Sequence, residues 1–207
     1  MRVRFAGSWF ALVVLVVPAF AFAAADIWFT NKGAFASAVF SSTDASGCVS
    51  TAVLVEAGEQ AVHGGPGRGT PSASTFVVVS QSNTCTGETR TLFGFADNVA
   101  FTANNLSTTA HLSTPIDLCA DFNDPASCTA NTIDVTWTST GDAVRLNGAD
   151  HLKVGTQQFI TQQVETLRFG TAVGTLGDGI TNYTPNPTEQ ALIAKQQVHM
   201  ITIIQGP

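Results

Sequence analysis

Charge is scarce in this chain: Lys, Arg, Asp and Glu make up only 12% of its 207 residues. Long runs of Leu, Glu and Lys are absent, which removes the usual material of amphipathic helices. No Cys-x-x-Cys occurs, so a thioredoxin-like redox centre is not presented, and no close Cys/His cluster offers structural zinc. There is no Gly-x-Ser-x-Gly elbow for a hydrolase nucleophile. The glycine-rich run His63-Gly-Gly-Pro-Gly-Arg-Gly-Thr-Pro71 lacks the Gly-Lys-Ser/Thr ending of a phosphate loop. Its four glycines and two prolines read as a surface loop. After residue 25, no apolar run approaches the roughly 20 residues that a spanning helix needs.

Residues 1–25 are of a different kind. Arg2 and Arg4 form a positive start, Phe10 to Val17 is apolar, and Pro18 leads to a small-residue end. Ala23 and Ala25 fit cleavage before Asp26, the pattern of a secretory signal peptide. The expectation is a mature domain over 26–207 that is secreted, periplasmic or held at the cell surface. The leader ends without a cysteine, so no lipid anchor is suggested.

The whole chain carries a formal net charge of −6. Loss of Arg2 and Arg4 leaves seven basic against fifteen acidic side chains, a net of −8. The mature part has length enough for one domain with its own core. Its ten Phe and two Trp, beside many Val and Leu, argue for collapse rather than disorder. The basic residues Lys32, Arg68, Arg90, Arg145, Lys153, Arg168 and Lys195 stand singly along the chain. Nucleic-acid binding normally needs them gathered against phosphates, so nucleic acid is not an expected partner.

What the chain does hold is β-forming. Thr, Ser, Val and Phe recur, and such side chains fit a half-buried pleated surface. Strands are expected at Asp26 to Phe29, Ala36 to Phe40, Val49 to Glu56, Thr75 to Val79 and from Cys85 towards Phe95. The turn Asp97-Asn98 then precedes Val99 to Asn104. The clearest alternation is Thr132 to Thr138, with Ile133, Val135 and Trp137 on one face. Asn147-Gly148 reads as a hairpin turn between strands at Ala143 to Leu146 and His151 to Val154. Strands at Gln158 to Gln162 and Val164 to Phe169 follow. Thr188 is placed to cap a short helix, Glu189 to Gln196, before a last strand at Val198 to Ile204. The fold expected is all-β: a disulfide-stabilised antiparallel β-sandwich of about nine or ten strands, with a flattened barrel as the alternative.

In an exported chain the four cysteines read as staples. They allow three pairings. Cys119 and Cys128 flank a turn-rich loop that closes locally, and Cys48 and Cys85 each follow a polar loop near the start of a returning strand. The expected pairs are therefore Cys48 with Cys85 and Cys119 with Cys128. The shorter crosslink is worth about 3 kcal/mol on loop entropy, before strain is subtracted.

Candidate chemistry is thin. Asp117, Asp121, Asn123 and Asp124 supply hard oxygens on one loop, the best metal set here, and calcium is the ion they suit. The spacing matches no EF-hand, and Asp and Asn equally serve turns through their own backbone. His63, His111, His151 and His199 are widely separated and form no local ligand motif. Glu56 and Glu59 would support glycoside chemistry only if the fold set them across a cleft. Phe93 and Phe95 share a strand face, while Trp28 or Tyr183 at a surface would suit stacking on sugar. No catalytic residue is assigned. The reading is a non-catalytic protein acting in ligand binding, to protein or carbohydrate, or in extracellular assembly by self-association. A secreted hydrolase whose site forms only in three dimensions is the alternative.

Overall fold

The computed structural model describes residues 27–63, 72–155, 157–177 and 188–204. Residues 1–26, including the whole segment expected to be a signal peptide, and most of the glycine-rich run lie outside these residues, as do Tyr183 and the Trp28 side chain. Ten strands carry nearly everything described: β1 (Ile27–Thr43), β2 (Val49–His63), β3 (Ser72–Asn83), β4 (Thr89–Asp97) and β5 (Ala100–Ala103). They continue as β6 (Thr109–Cys119), β7 (Cys128–Ser139), β8 (Val144–Val154), β9 (Gln157–Gly177) and β10 (Thr188–Ile204). Every pairing is antiparallel.

β1 to β4 form a meander, and the sheet continues β4–β6–β7–β9. β10 then pairs with both β9 and β1, so the sheet closes on itself. The result is sandwich-like, with opposed walls over one apolar interior, and the closing strand gives it the character of a flattened barrel. β5 hangs on β6, and β8 hangs on β9. Among the described residues no helix is long and apolar enough to cross a membrane, which does not bear on crossing by strands.

Period-two alternation builds the core. Ala34, Ala36, Ala38 and Phe40 of β1 face inward with Val53, Val55 and Ala57 of β2 and Val77 and Val79 of β3. Leu112 and Leu118 of β6 and Ile133, Val135 and Trp137 of β7 complete the opposite wall. All belong to one buried cluster. Phe101 meets Trp137 edge-on at 6.4 Å between ring centres, a favourable arrangement of the two rings' charge distributions. Thr132, Asp134 and Thr138 are exposed, as the alternation of β7 requires.

Two turns at the same end are built alike. Asp44 accepts from the Ser46 hydroxyl at 2.7 Å and from the Val49 amide at 3.0 Å, and these bonds hold its carboxyl below the usual carboxylate range. Asn83 likewise accepts from the amides of Cys85 and Thr86. Gly47 and Gly87 supply the positive φ each turn needs, +75° and +78°. The Thr84 amide donates to the Cys48 carbonyl at 2.9 Å, and the Cys48–Cys85 disulfide joins the two turns across 37 residues of chain. Cys119 and Cys128, the second bridge, are direct cross-strand partners on β6 and β7. Cys119 is also where β6 touches β4, through the single register pair Phe93 with Cys119. There Gly94 leaves room for Ile116 and Leu118, whose side chains would lie within 2.9 Å of any added Cβ.

Several expectations are corrected. Residues 189–196 are not a helix but the first half of β10, because β1 and β9 each present an unpaired row of amides and carbonyls to it. Asn147-Gly148 does not turn. It runs straight through β8, paired with Val164 and Gln163 of β9. The short strands expected on either side of such breaks are halves of long ones. A further strand, β6, carries Pro115 in its middle, where the missing amide weakens the strand signal. Phe93 and Phe95 do share a face, but it is the outer one: Phe95 is 54% exposed, and Phe93 lies near Phe122.

Leu112 is wholly buried and Thr138 exposed on the strand beside it. Leu112→Ala is expected to cost about 2–5 kcal/mol in urea unfolding. Thr138→Ala is expected to change stability by less than about 0.5 kcal/mol. Equal losses would mean that the inward and outward faces have been misassigned.

Candidate interaction surface

The residues singled out for metal lie at the end of β6 and on the loop that follows it. Asp121 Oδ1 accepts from the amide and side-chain nitrogens of Asn123 at 2.9 and 3.1 Å. Asp124 caps a single 3-10 turn, Pro125–Ser127, by accepting from the Ala126 amide at 3.0 Å. Asp117 sits on β6, exposed and opposite Ala130. Asp121 and Asp124 thus each hold a local turn or cap bond. Among the described residues, no three His, Cys, Asp or Glu side chains come together in a way that would hold a metal.

His63 and His199 are both register partners of Thr30, one on each neighbouring strand, while His111 and His151 lie elsewhere. His111 lies 3.4 Å from Asp134 on the exposed outer face of β6 and β7. His151 lies 3.4 Å from Gln158. His199 is hydrogen-bonded to Thr30 Oγ1 at 3.0 Å and to Gln197 on its other ring nitrogen. Thr30 with His199 is a hydroxyl–imidazole pair, the first requirement of nucleophilic catalysis. Yet Thr30 is only 5% exposed, and an amide rather than a carboxylate orients the ring. A shallow open depression of about 520 Å³ at the Cys48 end is lined by Ser41, Ser42, Thr43, Ser50, Thr51 and Ser82 with two further small side chains. It offers hydroxyls but no base and no aromatic platform.

The informative surface is elsewhere, where strand lengths differ. β9, β10 and β1 have 21, 17 and 17 residues, against 9 in β4 and 11 in β6. The surplus forms a wing of four main strands in the order β8–β9–β10–β1. It uses residues 157–167 of β9, 194–204 of β10 and 27–35 of β1. β8 is its free edge: the strand is exposed along its whole length and, among the described residues, pairs with β9 alone.

Register assigns the faces of this wing. Arg145, Thr166, Lys195 and Ala34 lie in one cross-strand row, and Ala34 faces the core, so this face continues the interior wall. The opposite face presents Val144, Leu146, Leu152 and Val154 of β8, which are 44–59% exposed. It also carries Glu165, paired with Leu146. Burial beside these apolar neighbours pushes the Glu165 carboxyl up, as burial does for Glu56 on the same outer side of β2.

No family model and no curated protein matches the chain. A solved structure of the enduracididine biosynthesis enzyme MppR, complexed with the condensation product of pyruvate and imidazole 4-carboxaldehyde, aligns over 90% of each chain. That alignment has 7% identity and a TM-score of 0.22, and it carries no argument about fold or function.

A carboxyl raised in the folded state favours folding while protonated and disfavours it once the unfolded chain ionises more readily. The parent therefore loses stability as pH rises from the ordinary glutamate range through the higher folded-state value. Glu56→Gln with Glu165→Gln is expected to raise stability at pH 7 by less than about 1 kcal/mol, since solvent still reaches both groups. The gain should vanish below about pH 4. Thermal melts across pH check this, and a gain that persists in acid would assign it to another cause.

Proposed function

We propose that this chain is an exported, non-catalytic protein that acts by extracellular assembly, with β8 as the associating edge. The single observation that carries the reading is the eleven-residue β8: an open edge with four exposed aliphatic side chains on one face. Edge strands present unpaired amides and carbonyls that accept another strand, and exposed apolar rows on them favour that union. The signal-peptide pattern of residues 1–25 and the two disulfides support action in an oxidising compartment.

β8 is self-complementary about Ala149. Antiparallel pairing of two copies around that residue sets Leu146 opposite Leu152 and Val144 opposite Val154 on one face. On the other face it sets Arg145 opposite Lys153, and this repulsion keeps the union weak at low salt. Ligand binding in a groove is the second reading of such a domain. It is less well supported, because the hydroxyl-lined depression lacks the aromatic and charged groups that would orient a ligand.

Light scattering over a concentration series tests the proposal. The parent is expected to pass from monomer to dimer, more readily as salt screens Arg145 and Lys153. Leu146→Gln with Leu152→Gln should stay monomeric, with stability changed by less than about 0.5 kcal/mol because both side chains are exposed. A parent of constant monomeric mass at all concentrations and salts would overturn it.

A further inference from the structure

The seven basic residues of 26–207 stand far apart in sequence, but the fold gathers most of them. Among the described residues there are six, and five fall on the wing face that continues the core wall: Lys32, Arg145, Lys153, Arg168 and Lys195. Register supplies the proof. Arg145 and Lys195 share a row through Thr166, and Lys32 shares the next row with Gln197, Val164 and Asn147. Lys153 lies further along β8, and Arg168 pairs with the core residue Ile193 at the base of the wing. The scattered pattern read from sequence is thus an effect of strand order.

The five cations divide into two groups. Arg168 donates to the carbonyls of Leu106 and Gly141 at 3.0 and 3.1 Å, and Lys195 donates to the carbonyl and side-chain oxygen of Asn105 at 3.3 and 3.4 Å. They pin the 104–108 loop over the end of the core and keep their charge, since a carbonyl does not neutralise it. Lys32, Arg145 and Lys153 are exposed and form no ion pair among the described residues. Glu59, in the row of Lys195, is the one acid that register places on this face. Between the cations stand the hydrogen-bonding side chains of Asn147, Gln162, Gln197 and His199, with Val164 and Ile160 among them.

A net-acidic chain that sorts its few cations onto one sheet face has built a local field of opposite sign to the rest. We infer that this face binds an acidic polysaccharide, a chain of sugars bearing carboxylate or sulfate. Cations in rows match periodic anions, and the interspersed amides match sugar hydroxyls. The inference does not depend on β8 pairing.

Titration calorimetry of the purified chain with heparin and with polygalacturonate, over a salt series, tests it at concentrations where scattering shows one species. A single-stranded oligonucleotide is the comparison. Binding of at least one polysaccharide at low salt is expected, weakening as salt rises. Lys32→Ala with Arg145→Ala and Lys153→Ala should weaken it at least about tenfold and flatten the salt dependence. Arg90→Ala, at the opposite end of the meander beside Gln81, should leave it unchanged. Arg168 and Lys195 are spared so that the 104–108 loop stays pinned, and an unchanged thermal melt verifies the fold. Absence of binding to both polysaccharides, equal loss in Arg90→Ala, or tighter binding of the oligonucleotide would each overturn the inference.

Discussion

The structure depends on what β10 does with its two edges. One edge pairs with β1 from Ile27 with Thr202 to Ala38 with Ala191, and the other pairs with β9 along most of its length. Without it, β1 and β9 would both be long open edges, and the inward faces of the two walls would have no lateral seal. With it, both walls share one buried apolar interior, and among the described residues the open edge of the wing is pushed out to β8. Closure by backbone bonds is indifferent to side chains. This is why a segment as polar as Lys195 to Gln197 can sit at the centre of a wide sheet.

Strand length then decides the rest. At about 3.3 Å per residue, β9 exceeds β4 by up to about 40 Å of extended chain. That surplus cannot be enclosed by the shorter strands β4, β6 and β7, so it projects as the wing. A wing has two faces in place of an inside and an outside, and the sequence treats them differently. Glu165 and the exposed aliphatics of β8 take one face, and the cations take the other, while amides stand on both. Arg168 and Lys195 stand where wing meets core and tie the 104–108 loop across the boundary.

The fold class and the staples were legible because their signals are local. Ile133, Val135 and Trp137 alternate within seven residues, Asp97-Asn98 turns with Asn98 at φ +56°, and Cys119 and Cys128 flank a loop short enough to close on itself. β10 misled because Thr188-Glu-Gln followed by Ala-Leu-Ile-Ala carries a helix cap and a helix-compatible apolar run. Long-range pairing with two partners overrides that preference. Asn147-Gly148 misled in the same way, although a signal was there. Val144, Leu146, Leu152 and Val154 keep one parity straight through the dipeptide, as an unbroken strand must. The cationic face was not readable from sequence, since residues 32, 145, 153, 168 and 195 become neighbours only when register is known.

The β4–β6 contact gives the closed sheet a direction of failure. Elsewhere around the circuit strands are zipped by runs of consecutive pairs, but here one pair, Phe93 with Cys119, holds the backbone ladder. The Cys119–Cys128 bridge binds β6 to β7, not to β4, so covalent strength and hydrogen-bond weakness lie side by side. A tube with one basted seam opens along that seam. The β6–β7 hairpin would swing away as a riveted unit, while the β1–β4 meander, joined across its turns by Cys48–Cys85, would stay whole as the opposite panel.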